Sequence, residues 1–206
     1  LCFATTFEGE QLHGKNLSLR FPRWIGVDKV GFIISSFESG IKIYNHNTYI
    51  QNSQKRNPAM KEVAHQIRSI LDTAESKLSR INEEETKVKF SPNKWSKKEI
   101  LGHLIDSAAN NHQRIVRAAY HVASQFPPYD QNEWVRIQHY QEAPWSSLVA
   151  LWSAYNSHLC HVIECIPVEA EQSPCNIGKE KPVPLDFVVK DYLRHLQHHL
   201  QAILNE

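Results

Sequence analysis

Methionine is nearly absent from this 206-residue chain: it occurs once, at position 60, and residue 1 is leucine. Glycine is scarce and unevenly placed. Gly9, Gly14, Gly26, Gly31 and Gly40 precede Met60, and only Gly102 and Gly178 follow it. The four cysteines, Cys2, Cys160, Cys165 and Cys175, include no C-x-x-C pair. That argues against a zinc knuckle or a thioredoxin-type centre. So few cysteines in a chain this long also make a poor disulfide framework, so reduced thiols in a cytoplasmic protein are expected. An excess of charge is missing too: 23 Lys and Arg against 22 Asp and Glu leave a net charge of +1. No long-range field therefore argues for a nucleic acid or an anionic membrane as partner. No apolar run reaches the ~18 residues of a membrane span. The opening stretch "LCFATTFEGEQLHGK" lacks the basic and apolar regions of a secretory signal.

Histidine, by contrast, is abundant, with 12 residues, three of them in the terminal stretch "DYLRHLQHHLQAILNE". Clustered histidine points to metal or proton chemistry. Hydrophobic content of 41% and charged content of 22% are ordinary for a globular protein. The length suits one domain with a proper core, or one domain plus an appendage.

Two compositions meet near residue 60. Before it, "VGFIISSF" and "IKIYNHNTYI" alternate weakly, as strands do. Helical periodicity begins directly after Met60. The expectation is a division into an accessory or non-native extension over 1–59, either β or disordered, and a helical domain over 60–206. On this reading Met60 is the native start.

Four amphipathic helices follow. The first is expected over 60–82, where Val63, Ile67, Ile70, Leu71, Ala74, Leu78 and Ile81 form one stripe. The second is expected over 97–122, behind an S-x-x-E capping box at Ser96 and Glu99. The third is expected over 145–166, between Pro144 and Pro167, and the fourth over 185–205. The connection "SQFPPYDQNEWVRIQHYQEAP" is longer than bundle helices usually need, which suits a cleft wall or lid. Helices of this number and length predict an all-α four-helix bundle.

On the fourth helix, His199 and His195 flank the apolar arc, roughly 70° and 110° from its centre, and His198 lies roughly 170° away. His195 and His199 are four residues apart, so their rings stack on adjacent turns and can share an ion. A metal needs a third ligand, and the second helix offers His103 and His112. The helical wheel sets His112 near the centre of the apolar arc and His103 on the opposite flank, with Asp106, Ser107 and Asn110. A site inside the bundle would use His112; a site in a polar cleft would use His103.

The stretch "NKWSKKEILGHLIDSAANNHQRI" resembles the second-helix motif of the DinB/YfiT-like superfamily, W-[ST]-x-x-[EQ]-x-x-x-H-L-x-D-S. "PPYDQNEWVRI" resembles that family's PYD-x-x-x-W loop, and "YLRHLQHHLQAI" its terminal helix. The three motifs stand in the family's order over residues 90–205, and nothing in residues 1–59 belongs to it. The resemblance implies a four-helix bundle holding one divalent metal through His103, His195 and His199. It leaves His112 as a core residue or a support to the site. Zinc suits such a set best, with nickel, iron or manganese as alternatives. Asp106 and Asp191, each one turn from a ligand, are placed to accept an imidazole N–H and fix its tautomer. Asp130 and Trp134 match the loop motif and are expected to wall the cleft or orient a ligand.

Three imidazoles leave a divalent ion with open positions. The resemblance is closest to the branch associated with bacillithiol-type chemistry, and it implies transfer of a low-molecular-weight thiol to a small electrophile. In such chemistry the metal favours the thiolate. A metal-dependent hydrolase acting through an activated water is the alternative. It is weakened because no glutamate like that of H-E-x-x-H stands beside the ligands. A non-catalytic, metal-stabilised binding or dimerisation protein is the third reading, and a homodimer is compatible with this type of bundle.

Overall fold

The computed structural model describes residues 57–120 and 124–204, together with the backbone of residues 24–27, 32–37 and 40–45. Cys2 lies outside the described residues. Two compact units are distinguished, Leu1–Tyr49 and Ile50–Glu206. The first contains an antiparallel sheet of β1 (Trp24–Val27), β2 (Phe32–Phe37) and β3 (Gly40–Asn45), in that order. Phe32 pairs with Asn45 and Phe37 with Gly40, so the two weakly alternating stretches form a hairpin.

The second unit is the helical bundle. Its long helices are α1 (Pro58–Leu78), α3 (Lys97–Tyr120), α5 (Trp145–Glu164) and α6 (Leu185–Leu204). Two short helices sit in the connections, α2 (Glu83–Lys87) and α4 (Gln131–Ile137). A small sheet joins β4 (Ser124–Gln125), β5 (Pro174–Asn176) and β6 (Val183–Pro184). The bundle agrees with the expected fold class, and the helix ends shift by a few residues. α1 begins at Pro58, ahead of Met60, because the Asn57 side chain caps it and accepts from the Ala59 and Met60 amides at 2.9 and 3.4 Å. Met60 itself is fully buried in the core.

α1 packs on α5 and α6, and α3 packs on the same two helices. α1 and α3 therefore occupy one diagonal of the bundle. The core between them contains Ile67, Leu71, Leu78, Leu101, Leu104, Trp152, Leu196 and Leu200. Burying each such side chain contributes about 1.5–3 kcal/mol.

Two capping arrangements fix where α3 and α5 begin. The Ser96 amide donates to Glu99 Oε2 at 2.8 Å, and the Glu99 amide donates to Ser96 Oγ at 3.2 Å, which is the expected capping box. Pro144, before α5, has no side chain that can cap. Glu83 from α2 takes that role, accepting from the Trp145 amide at 2.9 Å. The fully buried Lys98 ties the two ends together by donating to Glu83 and to the Ala143 carbonyl.

Candidate metal centre

α3 and α6 are neighbours, and His103 on an early turn of α3 meets His195 and His199 on late turns of α6. The ring centroids are 5.0 Å apart for His103–His195, 4.8 Å for His103–His199 and 4.5 Å for His195–His199. His103 Nε2 lies 3.1 Å from His195 Nε2. One nitrogen from each ring falls within 4.8 Å of the others, and among the described residues no second group of three His, Cys, Asp or Glu converges so closely. Two ligands of a tetrahedral ion, each about 2.0–2.1 Å from it, stand ~3.3 Å apart. The His103–His195 pair is near that spacing, and small rotations of His199 would complete the set.

His103 is 1% exposed and packs beside the Trp95 ring at 4.9 Å. Burial lowers its pKa to about 3, and the neighbouring His195 and His199 add to the shift. His199 falls to about 4, through burial first and His195 second. His195 is lowered by burial as well, against an opposing pull from Asp191. At neutral pH the site therefore presents three neutral imidazoles, the state a metal requires.

The supporting residues differ from expectation. Asp106 Oδ1 accepts from the Tyr140 hydroxyl at 2.7 Å and from Gln138 Nε2 at 2.5 Å, while Asp106 Oδ2 and His103 Nδ1 have no hydrogen-bond partner. Asp106 thus holds the segment after α4 and makes no hydrogen bond to His103. His139, at φ 50°, turns the chain at the end of α4, so that the side chains on either side of it both reach Asp106. Asp191 pairs with Arg194 instead of bonding His195. The group that contacts His195 is Ser107, whose Oγ lies 3.3 Å from Nδ1. Asn111 donates to the same Oγ at 3.3 Å. With Nδ1–H pointing at Ser107, the His195 Nε2 lone pair faces the other two rings. Ser107 has a sequence signal, as the last letter of H-L-x-D-S, four residues after His103. Gln138 and Tyr140 have none.

The wheel misplaces both histidines of α3. His103, Asp106 and Ser107, assigned to the flank away from the core, are buried, because His103 and Ser107 meet His195 on α6 and Asp106 is covered by Gln138 and Tyr140 from the segment after α4. His112 is only half-buried and bonds the Tyr155 hydroxyl at 3.2 Å. Asp130 caps α4, its Oδ1 accepting from the Asn132 and Glu133 amides at 2.9 and 3.2 Å. Trp134 is 38% exposed, packs against Tyr129 and, with Ile137 and Gln138, lines an open cavity of about 260 Å³. The amide of Gln138 joins that cavity to Asp106, one turn from His103.

The family model described as the DinB superfamily matches residues 58–203. No curated protein sequence matches the chain. Among solved structures, YfiT from Bacillus subtilis, described as a probable metal-dependent hydrolase with an unusual four-helix bundle topology, is similar, with a TM-score of 0.58. It is 16% identical, over 77% of this chain and 83% of that one. A mycothiol-dependent maleylpyruvate isomerase is similar with a TM-score of 0.57 and 14% identity, over 68% of this chain and 59% of the isomerase. At these identities the likeness is one of fold.

Proposed function

The chain belongs to the DinB superfamily, and on that premise we propose that it is a divalent-metal-dependent enzyme which transfers a low-molecular-weight thiol to a small electrophile. The observation that carries the reading is the convergence of three neutral imidazoles from α3 and α6. The donor set suits zinc. A divalent ion there would supply Lewis acidity and lower the pKa of a thiol or water that joins it.

The chain's own residues do the rest. Ser107, 3.3 Å from His195 Nδ1, is placed to accept its N–H and leave Nε2 to a metal. Trp95 and burial keep water away from His103. Trp134, Ile137 and Gln138 offer an apolar wall, open to solvent, for the electrophile. The candidate carboxylates are held elsewhere: Asp106 Oδ1 by Tyr140 and Gln138, with Oδ2 left without a hydrogen-bond partner, Asp130 by the amides of α4, and Asp191 by Arg194. A thiol or a water held by such an ion would each have to give up a proton, and the thiol, with an ordinary pKa of about 8.5 against about 15.7 for water, does so more readily without a neighbouring base. That difference favours thiol transfer over hydrolysis, which YfiT's description keeps as the second reading.

The test is protein purified without chelators, analysed for metal and assayed with a small thiol plus a model electrophile, beside a panel of esters. Metal-dependent thiol consumption, abolished by His103→Ala, is expected. Ester cleavage without thiol consumption would replace the proposal with the hydrolase. Bound metal with neither activity above His103→Ala would replace it with a binding protein.

A further inference from the structure

A second histidine cluster lies on the other side of α3, where it meets α5. His112 and the exposed His158 approach across the two helices with ring centroids 5.3 Å apart, close to the 4.5–5.0 Å of the triad. His112 is not free to turn: its Nδ1 lies 3.2 Å from the Tyr155 hydroxyl, and the two rings meet edge-on at 5.8 Å. In the tautomer whose Nδ1–H donates to the Tyr155 oxygen, Nε2 keeps its lone pair for an ion. His161, one turn along α5, is exposed, with its ring centroid 6.5 Å from that of His158. A rotation of its side chain can bring a third nitrogen to the pair.

We propose that His112 and His158, with the exposed His161 as a third donor, form a second and weaker site for an imidazole-seeking divalent ion such as zinc or copper, which clips α3 to α5. Imidazole pairs held on separate helices select these ions over magnesium or calcium, which prefer oxygen. Openness to solvent leaves the remaining positions to water, so this ion exchanges more readily than one bound by the triad, whose His103 is buried and whose other two rings are half-buried. The site does not depend on the proposed reaction.

Zinc titration of the metal-free full chain by calorimetry provides the test. Two equivalents are expected, the second weaker than the first. The second should vanish in His158→Ala, whose exposed side chain can be removed without opening the core, and in His112→Ala. It should weaken in Tyr155→Phe, which keeps the ring but loses the hydroxyl. It should persist in Cys165→Ser, although Cys165 Sγ lies 3.9 Å from His161 Nε2. In His103→Ala the first equivalent should be lost and the second retained, still raising Tm when zinc is added. That outcome separates this site from the triad. A single equivalent in the unaltered chain, a second one that survives His158→Ala, or one lost in Cys165→Ser would overturn the assignment.

Discussion

Gly102 sits inside α3 beside His103, where a glycine-to-alanine change would ordinarily stabilise a helix by about 1 kcal/mol. The structure predicts the opposite sign. A methyl at Gly102 would stand 2.1 Å from Tyr140 Cδ2 and 2.3 Å from its Cγ. Carbon contacts settle near 3.5–4.0 Å, so the ring would have to retreat by roughly 1.5 Å. The ring is 6% exposed and its hydroxyl donates to Asp106 at 2.7 Å, a bond that such a retreat breaks. Overpacking costs about 1–3 kcal/mol. A lost hydrogen bond to a charged group costs about 1.5–3 kcal/mol. Against the helix gain, the net is a destabilisation of about 1.5–5 kcal/mol. At ~2 kcal/mol, Tm should fall by roughly 4–8 °C in a chain of this size. Urea unfolding of four proteins decides it: the unaltered chain, Gly102→Ala, Tyr140→Ala and the double variant. With the ring gone, the methyl has room, so alanine at 102 should stabilise the Tyr140→Ala background. Equal effects of Gly102→Ala in both backgrounds, or a more stable single variant, would refute the packing argument.

Ser107→Ala should leave the fold intact and weaken metal binding about 10–100-fold, the usual effect of losing a ligand's supporting hydrogen bond, measured by competition with a chromophoric chelator; unchanged affinity would remove Ser107 from the site. Metal-free protein should lose stability as pH falls below about 6.5, because the unfolded chain then takes up protons that the neutral, buried His103, with its pKa near 3, refuses. The slope from His103 reaches at most about 1.4 kcal/mol per pH unit and flattens below its folded pKa. A profile just as steep in His103→Gln would disprove that origin. Asn57→Ala should cost about 1 kcal/mol in urea unfolding through loss of the α1 cap. No change would mean that Pro58 and Ala59 hold the helix start unaided.

The periodic parts of the fold were legible because each local signal agrees with its tertiary role. The stripe of α1, the Ser96–Glu99 box and the prolines bracketing α5 act over a few residues, so their outcome is written in the neighbouring sequence. The i,i+4 pair His195 and His199 was legible for the same reason. Only motif resemblance points to His103; the wheel sets it on the polar flank. A wheel assumes one buried face, and the polar flank of α3 is covered as well, by the histidines of α6 and by the segment after α4, both contributed by distant stretches of chain.

The order of residues by itself determined four amphipathic helices, their caps and a pair of imidazoles on one helical edge, since these depend on spacing along a single element. Tertiary structure decided which histidine joins that pair, that Ser107 and not Asp191 contacts it, and that Asp106 holds Tyr140 and Gln138. Those outcomes require α3, α6 and the segment after α4 to meet in space, and no local pattern encodes the angle or height at which separate helices pack.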